Sequence, residues 1–206
     1  MITSSSFGMH HIFIPSDKPD APTLLLLHGT GGDEYDLVHI GQSLLPGAAI
    51  LSARGNVQQQ GMNRYFLRKP DGSFDTDDLL FRTGELNGFI LLATEHYNID
   101  RSTLIAVGYS NGATIAASIL LVHPKTLHLA VLLHPALPFM PEQKPHITAH
   151  VFMTAGRNDE MIPFERTKAL ATLLSSCGAE VAFHAEEGGH RITESELEAA
   201  REWING

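Results

Sequence analysis

The sequence predicts an α/β fold with a mostly parallel central sheet and helices on both faces. Three observations carry this expectation. From residue 23 to the end, short apolar runs alternate with segments of helical spacing, the pattern of a parallel sheet wound with helices. Thr23–Leu27 and Leu129–Leu133 are continuously apolar, as strands buried on both faces are. A third apolar run, residues 104–107, passes through Gly108-Tyr109-Ser110-Asn111-Gly112 into a small-residue helical pattern over 113–122. No composition shift, repeat or linker divides the 206 residues, so one domain spanning 1–206 is expected. No long insertion follows the 113–122 segment, so no large cap domain is expected.

The elements follow in order. Residues 10–14 alternate and end at Pro15, which reads as a strand; with residues 2–7 they form an antiparallel pair at a sheet edge. The buried strand Thr23–Leu27 ends in His28-Gly29-Thr30-Gly31-Gly32-Asp33. A helix over 35–44 presents Leu37, Ile40 and Leu44, and residues 48–52 read as a short strand. Residues 53–75 show no periodicity. A loop this long is either a cover over the site or a surface excursion.

Asp75 to Asp78 place a cap and negative charge where a helix begins. Leu79, Leu86, Phe89, Ile90 and Ala93 then mark one face of a helix reaching about residue 97. Gly84 and Gly88 each cost that helix about 1 kcal/mol against alanine, which suggests close packing against the sheet. After the 104–122 strand and helix come Leu129–Leu133, ending at His134-Pro135, and a strand over 150–155 closed by Gly156. Pro163 opens a helix with Leu170, Leu173 and Leu174 inward and Gly178 as its stop. Residues 180–184 form the last strand. Thr193 and Glu196 make a capping box for a final helix with Leu197, Ala200 and Ile204 on its apolar face.

Strand, G-x-S-x-G, helix is the setting of a nucleophile elbow, so Ser110 is the candidate nucleophile. Ligands of such sheets sit beyond the carboxyl ends of the strands. Four of those ends carry reactive or glycine-rich segments: 28–33, 110, 156–163 and 185–190. A serine hydroxyl needs a base, and the base an orienting carboxylate, in the chain order Ser, acid, His. Of the two histidines after residue 163, His184 belongs to the last strand. His190 lies in the loop beyond it and is favoured as base. Asp159, on the tight loop after the 150–155 strand, is favoured as acid; Glu160 is the runner-up, ahead of Glu142 and the Glu186-Glu187 pair. The backbone amides of Asn111 and Thr30 are the expected oxyanion donors, with Gly29 or Gly31 as alternatives to Thr30.

Net charge is −9, which gives no footprint for nucleic acid or an anionic membrane. The one cysteine, Cys177, cannot form an internal disulfide and reads as a small core residue near a helix end. The twelve histidines show no metal-ligand spacing, and there is no dinucleotide or Walker A motif, so no metal and no cofactor are expected. Residues 1–7 lack the pattern of a signal peptide and no window approaches a membrane span. A cytoplasmic protein is expected.

Together, residues 27–34, Gly108-Tyr109-Ser110-Asn111-Gly112-Ala113, the 156–163 loop and Gly189-His190 resemble the small bacterial carboxylesterases of the phospholipase/carboxylesterase group, relatives of the acyl-protein thioesterases. Asn111 and the His134-Pro135-Ala136-Leu137-Pro138 stretch look closest to the bacterial branch linked to hydroquinone resistance. Thioesterases of the group usually carry Q-G-G after the serine, where this chain has Asn111-Gly112-Ala113. The resemblance implies an α/β-hydrolase fold, a Ser110, Asp159, His190 triad, activity on a small-molecule ester with a short acyl chain, and a homodimer. Arg54, Gly55 and Arg82 resemble recurring, non-catalytic residues around the long loop. A thioesterase or lysophospholipase-like hydrolase with the same triad, and a ligand-binding protein without catalysis, are the alternatives.

Overall fold

The computed structural model describes residues 1–206. There are ten strands and five α-helices; all but the strands at 57–59 and 62–64 follow the expected order. The strands are β1 (Ile2–Ser4), β2 (His11–Ile14), β3 (Thr23–Leu27), β4 (Ala49–Ala53), β5 (Val57–Gln59), β6 (Met62–Arg64), β7 (Leu104–Tyr109), β8 (Leu129–Leu133), β9 (His150–Gly156) and β10 (Glu180–Glu186). The helices are α1 (Val38–Leu44), α2 (Thr76–His96), α3 (Asn111–Val122), α4 (Phe164–Ser176) and α5 (Glu194–Asn205).

Eight strands make one sheet in the order β1-β2-β4-β3-β7-β8-β9-β10. The β1–β2 and β2–β4 pairs are antiparallel and the rest are parallel. The antiparallel edge arises where the connections are short; every later strand returns through a crossover, which forces the parallel direction. The core has two parts. Residues of α2, α3 and α4 cover one face, and those of α1 and α5 cover the other. In β3 all five side chains are buried, because alternate leucines enter the two cores. Cys177 is buried at the end of α4. No helix is long and apolar enough to cross a membrane.

Four local expectations are corrected. The helix expected from residue 35 starts at Val38, because Asp33 Oδ1 accepts the Tyr35 amide and successive turns occupy 33–38. Pro163 is the N-cap of α4 rather than its first helical residue. Gly84 and Gly88 do not pack: a methyl group on either would meet no atom within 4 Å. Residues 53–75 are not featureless. Gln60 and Gly61, both at positive φ (55° and 75°), join β5 to β6 in a two-residue hairpin.

Candidate active site

The site begins at the turn between β7 and α3. Ser110 has φ 52° and ψ −106°, a strained conformation for a residue with a side chain. It is held by the bond from its own amide to Leu133 O in β8 (2.8 Å) and by the Thr114 amide on its carbonyl (2.9 Å). The flanking glycines have separate reasons. A methyl group at Gly108 would stand 2.7 Å from the Ala113 backbone. One at Gly112 would collide with the carbonyls of Leu27 and His28 at the end of β3. The elbow therefore needs both glycines to bring α3 down between two strands.

The 156–162 and 187–190 loops close on Ser110 together. Arg157 and Asn158 donate their amides to Glu186 O and Gly188 O (2.7 and 3.0 Å), and a side chain at Gly156 would collide with Gly188 and Gly189. His190 Nε2 lies 2.8 Å from Ser110 Oγ, and its Nδ1 lies 2.7 Å from Asp159 Oδ2. A carboxylate only accepts, so Nδ1 carries the proton and Nε2 is free to accept from the serine hydroxyl. Tyr109 donates its hydroxyl to His190 O (2.8 Å) and fixes the loop from below. The amides of Met161 and Ile162 donate to Asp159 Oδ1 at 2.8 and 2.9 Å. Burial pushes the Asp159 carboxyl up. The two amides and His190 outweigh it, and its pKa lies below the ordinary carboxylate value. Glu160 and Glu187 face outward, and His184 sits in β10 against Glu186 Oε1 (3.1 Å) and the Phe152 ring.

A second histidine touches the acid. His134 follows β8 at φ 51° and is 1 % exposed. Its Nδ1 is 3.4 Å from Asp159 Oδ2, and its Nε2 is 2.9 Å from Oε1 of Glu196, which is as deeply buried. Both contacts lie off the hydrogen-bond line, so they are close polar contacts rather than aligned bonds. Glu196 Oε2 meanwhile accepts the Thr193 amide in the expected capping box. Neither contact was visible in the sequence: His134 read as a strand end and Glu196 as a cap. The one available signal was that His134 ends a buried strand at the same sheet edge as Ser110. The polar atoms of His134, Asp159 and His190 lie within 4.8 Å of one another. His190 Nδ1 and Asp159 Oδ2, at 2.7 Å, are closer than two ligands of one zinc ion stand, about 3.3 Å.

On the other side, the glycine-rich loop after β3 lies against the elbow, with Gly29 packed on the Tyr109 ring. The Gly31 amide is used by Asn63 O (2.9 Å) and the Gly32 amide by Gly29 O (3.2 Å); the Thr30 amide makes no hydrogen bond within the chain. His28 anchors the loop: Nδ1 donates to Gly29 O (2.6 Å) and Nε2 accepts the Gly55 amide (3.0 Å). That pairing needs the neutral ring, and burial lowers its pKa accordingly. Gly55 has no room for a side chain beside Arg64 O. Arg54 grips Glu34 with two nitrogens (2.5 and 2.8 Å), and Arg82 bridges Asp78 and Glu85 on α2, so both are structural. The β5–β6 hairpin is sewn to this side through Asn63 Nδ2 on Gly32 O, Arg64 Nη1 on Thr30 Oγ1 (3.1 Å) and the Tyr65 amide on Asn111 Oδ1 (2.7 Å).

Comparison with known proteins agrees with this architecture. The sequence profile of the Phospholipase/Carboxylesterase family matches residues 9–206. MhqD of Bacillus subtilis (strain 168), a hydrolase by name, is 42% identical over 196 residues, covering 95% of this chain and 97% of that protein. The crystal structure of the Bacillus cereus carboxylesterase is 42% identical with a TM-score of 0.93, covering 98% of this chain and 95% of that one. A carboxylesterase from Mesorhizobium loti is 29% identical, also with a TM-score of 0.93, covering 100% and 98%. With its mostly parallel eight-stranded sheet and its serine turn between β7 and α3, the chain belongs to the phospholipase/carboxylesterase family and is a hydrolase of the α/β-hydrolase fold.

Proposed function

We propose that the protein is a serine esterase that hydrolyses short-chain carboxylic esters through an acyl-enzyme. The observation that carries this reading is the unbroken line from Asp159 Oδ2 through His190 to Ser110 Oγ, at 2.7 and 2.8 Å, on an elbow at the carboxyl end of β7. His190 Nε2 takes the hydroxyl proton as Oγ bonds to the ester carbonyl carbon. The amides of Asn111, at the start of α3, and Thr30 hold the developing oxyanion. The carbon–oxygen bond to the alcohol then breaks, and His190 returns its proton to the leaving oxygen. Water repeats the sequence: His190 takes one proton, the hydroxyl adds to the acyl carbon, and Ser110 leaves with its proton restored. Asp159 stays ionised throughout and stabilises the imidazolium.

The opening beside His190 is a cleft of about 520 Å³ lined by Tyr109, Asn158, Glu160, Met161, His190 and Arg191 among others, room for a small acyl group. A fluorophosphonate should attach to Ser110, detected by mass, and Ser110→Ala should lose label and about 10⁴–10⁶ of turnover on 4-nitrophenyl acetate. A folded wild-type protein that takes no label and turns over no ester is instead a ligand-binding protein.

A further inference from the structure

The chain has 23 acidic side chains against 14 lysines and arginines, yet Arg64, Arg68, Lys69 and Arg166 form no ion pair, and only Lys69 feels a carboxylate, that of the exposed Asp71. Arg64, Arg68 and Lys69 line a cleft of about 390 Å³ with Gln59, Gln60, Pro70 and Gly72. Arg166, from α4, lies on the same Phe74 ring as Arg68; the guanidinium carbons are 4.3 and 5.3 Å from its centre. The ion pairs formed by lysine and arginine all use others: Arg54, Arg82, Arg157, Lys168 and Arg201. Arg64 is only 9 % exposed, and its Nε and that of Arg68 are buried without a hydrogen-bond partner. Burial lowers the pKa of Arg64, Arg68 and Arg166, and the charge of Arg68 lowers the other two further.

Burying a cation without an opposite charge is costly, and gathering several multiplies the cost. The arrangement is also held in place. Gln59 donates to Arg68 O (2.7 Å) and accepts the Arg68 amide (3.1 Å), which fixes the backbone under that guanidinium. Arg64 joins the cleft to the reaction centre. Its Nη1 is on Thr30 Oγ1, in the proposed oxyanion loop, and the amide of the next residue, Tyr65, is on Asn111. Arg54, ten positions before Arg64 and on the same side of the site, offers the contrast: it has its carboxylate in Glu34.

We propose that Arg64, Arg68 and Lys69, backed by Arg166, form a subsite for an oxyanionic group of the substrate, so that the enzyme prefers esters carrying a carboxylate or phosphate near the scissile bond. Planar guanidinium forks match either anion. This deepens the serine-esterase reading and rests on it.

The test uses matched esters that differ in charge. On the alcohol side these are 4-acetoxybenzoate and 4-acetoxyphenyl phosphate against neutral 4-acetoxybenzamide. On the acyl side they are mono-4-nitrophenyl adipate against 4-nitrophenyl hexanoate. At least one charged ester should exceed its neutral partner in kcat/KM by about tenfold or more, and Arg68→Met should cut that ratio by about tenfold. Lys69→Glu, at an exposed position, should lower it too, and added salt should weaken it. The better of the carboxylate and phosphate arms identifies the anion. Equal rates for charged and neutral esters, or variants that lower both alike, overturn the subsite while leaving the esterase reading intact. Calorimetric titration with malonate and with inorganic phosphate reads binding without catalysis. Absence of ester turnover and of Ser110 labelling overturns the esterase reading instead.

Discussion

Two groups of buried and half-buried charged side chains lie on either side of the elbow and are treated in opposite ways. On one side the carboxylates are answered: Asp159 receives two amides and His190, and Glu196 receives the Thr193 amide and faces His134. On the other side Arg64, Arg68 and Arg166 have no carboxylate within 4 Å, and two of their nitrogens are buried without partners. Both sides hold buried polar atoms without an aligned hydrogen bond, but on the first each carboxylate faces a histidine, whereas cations gathered without an opposite charge are costly until something binds. The first side is built to hold the geometry of a proton transfer. The second is built as though part of its structure arrives with the substrate.

The contrast can be broken from either end. The largest effect belongs to the side where acids face histidines. His190→Ala should reduce ester turnover by about 10⁴-fold or more, and His184→Ala, whose ring sits in β10, should change it by less than about tenfold. Equal losses in two folded variants would refute the assignment of the base. The Arg68→Met experiment comes next, with its roughly tenfold change in charge preference.

Smaller effects probe stability. Glu196→Gln should cost about 1–3 kcal/mol at pH 7, measured by denaturant unfolding, because His134 is left facing a weaker partner in a buried place. Burial pushes the Glu196 carboxyl up, but His134 and the Thr193 amide pull it further down, so its folded pKa lies below its unfolded one. Its contribution is therefore fully present above the unfolded value, about 4.3, and is lost as pH falls through the folded one. The variant should lose stability less steeply than the parent below about pH 4.3. An unchanged acid slope would mean Glu196 is as free as a surface glutamate. The smallest effect lies away from both groups. Gly84→Ala on the open face of α2 should raise stability by about 1 kcal/mol, and a loss would show that the glycine packs after all.

Much of this was legible residue by residue. The glycines at 108 and 112, the capping box of α5 and the apolar runs of β3 and β8 each report a local requirement: a tight turn, an orphan amide, a strand covered twice. The β5–β6 hairpin was not legible. Its strands have three residues each and no alternation, and it is stabilised by bonds to Gly32 O, Thr30 Oγ1 and Asn111 Oδ1, partners 31 to 46 residues away. His134 escaped for the same reason, since its partners lie 25 and 62 positions along the chain (159 − 134 and 196 − 134). Gly84 and Gly88 misled because propensity shows what a glycine costs and not which way it faces.

The sequence by itself determined the order of elements and the candidate nucleophile, acid and base, because turn chemistry and apolar periodicity act over a few residues. Only the tertiary structure decided which charges would be answered. Ion pairing depends on what the strand order brings to one sheet edge, and that order set Glu196 against His134 and left the arginines beside Ser110 without an acid.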